Sequence, residues 1–318
     1  MTHKVSSIHT PNIPIPPDVR HYAGKVRDTY KKKDILFVLT SDRLSAFNQI
    51  FKQGIPFKGQ VLNELAYFFM QKAKDIVPVW VSDCLNSHAS VGLSCRPIAI
   101  ECIVRGYLAG HALRLYQAGQ RNICGQQLPD GLTPYAPLPE PIFTPTSKDH
   151  TDVDLRPNEI IKQNLISAKD LDVVKNISLA LFAQGQKHAA TRNLILADAK
   201  YEFGTYKGQL TLIDELHTPD AARYLEYENL NTKTPKQLSK EAIRQWLITQ
   251  KLNQNVGQID LSEQQKQNIS NLYQNIYLKL YGKKLRRCNY THLISNCKRL
   301  LKDYLLDNDA PKMDDQKP

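Results

Sequence analysis

Apolar and polar positions alternate with a changing period along this chain, and each change marks an element. Val26 and Tyr30 frame a first strand and Ile35 to Leu39 a second, with a charged turn between them. From Gly59 to Lys72 the spacing becomes helical, placing Leu62, Leu65, Tyr67 and Phe69 around one side. Ile98 to Val104 is apolar apart from Glu101, as in a buried strand. Gly106 and Gly110 follow, then a short helical pattern from Ala112 to Ala118. Residues 119–157 are rich in proline, glycine and polar side chains and read as one long loop. Helical spacing returns from Asn158 to Gln184 through Ile160, Ile161, Leu165, Leu171, Val174, Ile177 and Leu181. Helices are expected again from Ser239 to Leu280, with Trp246, Leu247 and Leu252 as apolar contacts. Beyond Tyr281 come a basic segment and a tail of mixed charge that is expected to fray.

The stretch from Leu194 to Asp220 has period two instead. Two β-rich segments flank a turn bounded by Gly204 and Gly208, the pattern of a hairpin. Asp198, Lys200 and Glu202 are two residues apart, so a strand points all three at one face. The second segment carries Asp214 and Glu215: an even pairing register brings Asp214 to that face, an odd one Glu215. Either way three carboxylates gather round one lysine. A divalent ion carrying phosphates would balance such a face; a solvated hairpin surface is the plain alternative.

The class read from these elements is α+β, with an N-terminal sheet lobe over residues 1–100, a central sheet lobe over 101–238 and helices over 239–318. At 318 residues, 42% of them hydrophobic and 23% charged, the chain is long enough for two buried cores. No run of apolar residues is long enough to span a membrane, and Pro11, Pro14, Pro16 and Pro17 interrupt any leader, so cytoplasmic residence is the expectation. The six cysteines form no CxxC pair and read as reduced structural thiols, not a zinc site. A net charge of +11 suits either a nucleic-acid binder or an enzyme that draws in phosphorylated anions. The basic blocks lack interleaved aromatics, which argues against nucleic acid.

Seven fragments lie in a telling order: GKVRDTY (24–30), SDRLSAFN (41–48), IPFKGQVLNEL (55–65), ECIVRGYLAG (101–110), LPEPIFTPTSK (138–148), LADAKYEFG (196–204) and IDELHTPDAAR (213–223). Together they resemble the SAICAR synthases of purine biosynthesis. The resemblance implies an ATP-grasp-like, two-lobe architecture with antiparallel sheets, the first lobe binding nucleotide and the second holding metal and substrate. It implies a ligase in which ATP activates the carboxylate of the imidazole ribotide CAIR and the amine of L-aspartate captures it as an amide.

Residue by residue, the likeness assigns ATP contacts to Lys25 and Arg27, on alternate positions of an early strand, and to Lys148 on a closing loop. It assigns Mg²⁺ to Glu202 and Asp214, which would select the even register, and the reacting phosphate to Lys200, ordered by Asp198. Substrate contacts fall on Ser45, Asn48, Arg105, His111, Asp220 and Arg223. Four departures concern the substrate pocket. Asn48 stands where the family has aspartate, and His111 where it has the serine of an AGS motif. In DHTDVDLRPNEI after Lys148, Asp152 or Asp154 takes the place of a missing aspartate, and SKE at Ser239 to Glu241 replaces DKQ. An amide ligase with a different carboxylate or amine, or a non-catalytic nucleotide-binding protein, are the readings these changes leave open. The apolar C-terminal helices leave room for a homo-oligomer.

Overall fold

In the computed structural model, which describes residues 7–11, 13–148, 153–226 and 235–305, the first alternating segments pair as an antiparallel meander. Contacts group the chain into two units: Met1–Phe68 with Trp80–Cys95 and Ile243–Pro318, and Phe69–Val79 with Arg96–Ala242. Ile243–Pro318 group with the first unit, so the C-terminal helices do not form a unit of their own.

In the first unit, β1 (Arg20–Ala23), β2 (Arg27–Lys32), β3 (Ile35–Thr40), β6 (Val81–Cys84) and β7 (Ala89–Leu93) form one sheet in the order β1-β2-β3-β7-β6. Tyr30 pairs with Phe37 across β2 and β3, so both rings face the same side and are buried. The strands β4 (Arg43–Ala46) and β5 (Gln49–Gly54) form a separate hairpin. Helix α1 (Lys58–Ala73) buries Leu62, Leu65 and Phe69 as the spacing requires, and Tyr67 is half-buried. At its start the Gly59 amide donates to Oδ1 of buried Asp42 at 2.8 Å, which satisfies one of the open helix donors.

The second unit is built on a sheet containing β8 (Arg96–Pro97), β9 (Ile100–Tyr107), β12 (Pro137–Phe143), β13 (Thr146–Ser147), β14 (Leu194–Tyr206), β15 (Gln209–Ile213) and β16 (Ala222–Glu226), with the backbone order β12-β9-β14-β15. Residues 119–157 are therefore not one loop. They hold the small hairpin β10 (Asn122–Ile123) and β11 (Gln126–Gln127) and the two strands that line β9. Proline hid β12, but Pro137, Pro139 and Pro141 are all exposed on an edge strand, where a missing N–H breaks no ladder.

Helix α2 (Gly110–Gln117) follows β9. The helical run expected from Asn158 to Gln184 is two helices, α3 (Pro157–Lys162) and α4 (Ala168–Ala190). Asn164 breaks it with a left-handed φ of 53°, and Ser167 caps α4 by accepting from the Asp170 amide. Leu171, Val174, Leu181 and Phe182 bury one face of α4, which lies against β14 and β9.

Helices α5 (Lys240–Thr249), α6 (Glu263–Tyr281) and α7 (Leu293–Leu305) complete the described chain. Within the first unit, Leu293, Cys297, Leu301 and Leu305 of α7 cluster with Tyr30, Phe37, Leu39 and Ala89 of the sheet. The expected frayed tail lies outside the described residues. Among the described residues no helix is long and apolar enough to cross a membrane.

The hairpin of β14 and β15 turns at Lys207 and Gly208, with Tyr206 paired to Gln209 and φ of 48° and 82° at the turn residues. Both central residues are left-handed, as the favoured two-residue hairpin turn requires. Gly204, expected to bound the turn, lies inside β14 opposite Thr211. Gly208→Val is expected to cost about 1–2 kcal/mol, since a branched side chain is forced into the left-handed region; a urea unfolding curve reads the loss.

Candidate active site

The centre of the second unit is a patch of charges on β9, β14 and β16. Period two places Glu101, Ile103 and Arg105 on one face of β9 and Asp198, Lys200 and Glu202 on one face of β14. Pairing sets Asp198 directly opposite Arg105 of β9 and, on its other flank, opposite Arg223 of β16. The β14–β16 register slips between Leu196 and Asp198, and that bulge is what brings Arg223 opposite Asp198.

Asp198 accepts a hydrogen bond from Nη1 of Arg223, and Nη1 of Arg105 lies 3.6 Å from the same carboxylate. Arg223 Nη2 also donates to Oε2 of Glu241 at 3.0 Å, and Arg105 Nε donates to Thr144 Oγ1 at 2.9 Å. Asp198, read from the sequence as ordering Lys200, is thus engaged by two arginines. Burial disfavours the Arg105 charge and lowers its pKa, with Asp198 opposing the fall. Arg223 goes the other way: burial works against it, but Asp198 and Glu241 outweigh burial and raise it. Its guanidinium also lies where Gly110 would carry a Cβ, 2.3–2.6 Å from that position. With φ of 54° as well, Gly110 is required twice over, by backbone and by space.

Two residues along β14 the sign reverses. Lys200 Nζ donates to Glu101 Oε1 at 2.9 Å and to Glu202 Oε1, and lies 3.9 Å from Asp214 Oδ2. Lys148 Nζ meets the other Glu202 oxygen at 2.5 Å. Burial opposes the Lys200 charge, but Glu202, Asp214 and Glu101 hold its pKa well above the ordinary lysine value. Glu202 mirrors it. Burial alone would raise its carboxyl, yet Lys200 and Lys148 draw it down to about 2.

Asp214 reaches this patch by a route the period did not foresee. Glu202 pairs with Ile213, so the register is odd, not the even one expected from Asp214. The strand ends at Ile213, and Asp214 has a left-handed φ of 63°. A turned backbone, not alternation, therefore brings its carboxylate to Lys200. Glu215 is buried elsewhere and accepts from the Thr218 hydroxyl.

Of the other expected substrate contacts in this unit, Asp220 has its carboxylate 3.6 Å from Lys240 Nζ. His111, in the first turn of α2, meets Asp154. Asp152 lies outside the described residues.

Lys25, Arg27, Ser45 and Asn48 belong to the first unit. Arg27 opens β2, but Lys25 lies in the turn before it, so the two do not alternate along one strand. Arg43 holds that turn, donating to the carbonyls of Gly24 at 3.0 Å and Lys25 at 3.3 Å and to Asp28 Oδ2 at 2.5 Å. Ser41 Oγ adds a bond to the Val26 carbonyl at 2.7 Å. Lys25 Nζ donates to Oδ1 of Asn48 at 2.7 Å. Asn48 sits between β4 and β5 with a left-handed φ of 60°, and Ser45 is buried on β4 opposite Ile50.

Glu101 and Glu241 were missed as members of the charged patch. Glu101 had a signal: it is the one charge inside an apolar strand, in step with Arg105. Glu241 was noted only as part of the SKE departure, and no spacing along the chain pairs it with Arg223.

The family model of SAICAR synthetase matches residues 20–259. The chain belongs to the SAICAR synthetase family. The phosphoribosylaminoimidazole-succinocarboxamide synthase of Azobacteroides pseudotrichonymphae is 37% identical over 95% of this chain and 97% of its own length. The enzyme of that name from Flavobacterium psychrophilum is 38% identical, with 95% and 99% covered. Among solved family members, the Saccharomyces cerevisiae SAICAR synthase complexed with SAICAR superposes with a TM-score of 0.76 at 26% identity, covering 86% of this chain and 99% of the yeast one. The α+β fold with antiparallel sheets and C-terminal helices is the fold of this family.

The Glu202 carboxyl is ionised in the folded chain down to about 2, whereas its ordinary value is 4.5. Its stabilising contribution is therefore complete above pH 4.5 and is lost as the pH falls from there toward 2. Urea midpoints taken between about pH 6 and about pH 2.5 are expected to fall more steeply for the parent than for Glu202→Gln, by up to one proton of linkage.

Proposed function

We propose that this chain joins the carboxylate of CAIR to the amine of L-aspartate at the expense of ATP, through an acyl phosphate. Family membership makes it a ligase of purine biosynthesis, a phosphoribosylaminoimidazole-succinocarboxamide synthase. The observation that carries the finer reading is the division of the β14 face into an arginine end and a lysine–carboxylate end.

At the arginine end, Arg105 and Arg223 supply planar, permanently charged groups for an anionic part of the ribotide. In the same unit Asp220 and His111 are further contacts for the ribotide; in the first unit Ser45 and Asn48 are proposed, by family likeness, as substrate contacts of their own. At the other end Lys200 is a fixed cation. Its carboxylate neighbours keep it protonated, so it stabilises charge on the transferring phosphoryl group and does not act as a base. Lys25 and Arg27 in the first unit, and Lys148 in the second, are each proposed as cations that neutralise and position ATP phosphates.

The donors fit Mg²⁺. Glu202, Asp214 and Glu101 already converge on one positive charge, the Lys200 ammonium. Among the described residues no three His, Cys, Asp or Glu side chains form a closed cage, so Glu202 and Asp214 would hold the ion together with phosphate oxygens and water. When bound, it would offset phosphate charge. In the bond changes, a carboxylate oxygen of CAIR takes the γ-phosphoryl group and ADP leaves. The aspartate amine then attacks the carbonyl carbon, phosphate departs, and the amine gives up a proton to form the amide.

Purified protein is expected to release ADP only when ATP, CAIR and aspartate are all supplied. Glu202→Gln is expected to lower kcat by roughly 10²-fold or more while the protein remains folded. ADP release with a different carboxylate, but none with CAIR, would replace this reading with an altered ligase; ATP binding without any turnover would replace it with a binding protein.

A further inference from the structure

Two of the departures from the family pattern meet in space. His111 Nε2 and Asp154 Oδ2 are 2.8 Å apart, although the residues are far apart in sequence. Asp154 does not arrive there by a loose loop. The Ser147 amide donates to the Val153 carbonyl at 2.9 Å and the Leu155 amide to the Pro145 carbonyl at 2.9 Å, so the backbone of Asp154 is bridged to Thr146 of β13. The Val153 amide adds a bond to Ser147 Oγ at 3.0 Å. Asp154 thus lies in an antiparallel bridge beside β13, which pairs with β9, the strand of Arg105.

The surroundings favour an anion. Ala109, the N-cap of α2, offers no side-chain cap, so the positive end of the helix stays open. Arg223 packs over Gly110, immediately before His111. Arg105 lies close enough for the Asp154 charge to raise its pKa against burial. The second Asp154 oxygen, Oδ1, is buried and has no hydrogen-bond partner among the described residues, so a proton donor on that side would be Arg105 or a ligand.

Resting on the synthase reading, we infer that Asp154 is a positioning residue for His111, and that the pair replaces the family's serine as an oriented donor to the anionic end of the ribotide. With Nε2–H donating to the carboxylate, Nδ1 is the nitrogen left to face an anion. In the proposed complex the bound anion is met by an N–H at Nδ1, so the ring donates on both sides and lies between the anion and Asp154. A serine hydroxyl needs no such helper, whereas an imidazole must be held in one orientation to aim a single N–H.

The test is a double-mutant cycle with a spectroscopic arm. Asp154→Ala is expected to raise KM for CAIR by about tenfold, the loss of one charge-assisted hydrogen bond, with kcat and KM for ATP within about twofold. Asp154→Asn should retain most of the affinity, because its amide oxygen still accepts from Nε2–H. In a His111→Ser background, Asp154→Ala should change nothing further. An equal loss in both backgrounds would mean that Asp154 acts through the loop and not through His111, overturning the proposal while wild-type turnover leaves the synthase reading intact. Nitrogen-15 spectra of the ligand-free protein, with His111 assigned from His111→Ser, should show Nε2 protonated and altered by Asp154→Ala. An unchanged spectrum overturns the pairing itself. An Asp154-dependent spectrum in a wild-type protein that neither binds nor turns over CAIR overturns the ribotide as its ligand, and the synthase reading with it.

Discussion

Ionised side chains on a nearly buried strand persist only where each finds an opposite charge across the sheet. Taking one such ion from water costs several kcal/mol, and removing its partner afterwards costs about 3–5 kcal/mol. On β14 the solution is geometric. Asp198 lies between Arg105 and Arg223, and Lys200 among Glu101, Glu202 and Asp214. These pairs depend on the register of β9, β14 and β16. A slip of one residue would turn every side chain to the other face and leave the charges alone in the core. The bulge at Leu196–Asp198 is part of the same solution, since it moves Arg223 into line.

Once the charges are balanced in this way, the site has a definite polarity. One end gathers two guanidinium groups around Asp198. The other holds Lys148 and Lys200 against carboxylates: the two lysines keep Glu202 ionised, and Glu202, Asp214 and Glu101 keep Lys200 charged. Both directions follow from the same competition between burial and opposite charge, with opposite charge prevailing. Groups fixed in this state need little rearrangement when charge develops nearby, which is how preorganised electrostatics contributes to catalysis.

The first unit shows how sequence fragments that look independent act as one part. Ser41 and Arg43, from SDRLSAFN, close over the turn of GKVRDTY, and Asn48 at the end of that fragment meets Lys25 at the start of the other. Asp42, between them, holds the start of α1 through Gly59. Ser41 and Arg43 of the fragment thus hold a backbone turn, and Lys25 is left on a rigid support. Asn48 gives Lys25 a neutral partner where an aspartate would have made an ion pair.

The hydrophobic pattern alone determined the α+β class, the helices α1 and α4, the strands β9 and β14, and the shared face of Asp198, Lys200 and Glu202. These are local properties, because a strand's period of two and a helix's of 3.6 hold wherever the strand or helix lies. The fragments also carried the family. Tertiary structure decided what depends on a neighbour. Proline obscured β12, which is possible only because its sheet leaves that edge unpaired. Asp214 reached Lys200 through a left-handed residue and not through the even register, since chain reversal is set by the end of a strand and not by its period. Asp198 took two arginines as partners in place of Lys200 because they lie on strands brought alongside by pairing. His111 and Asp154 became a pair for the same reason: no spacing along the chain encodes which segment a sheet edge will accept.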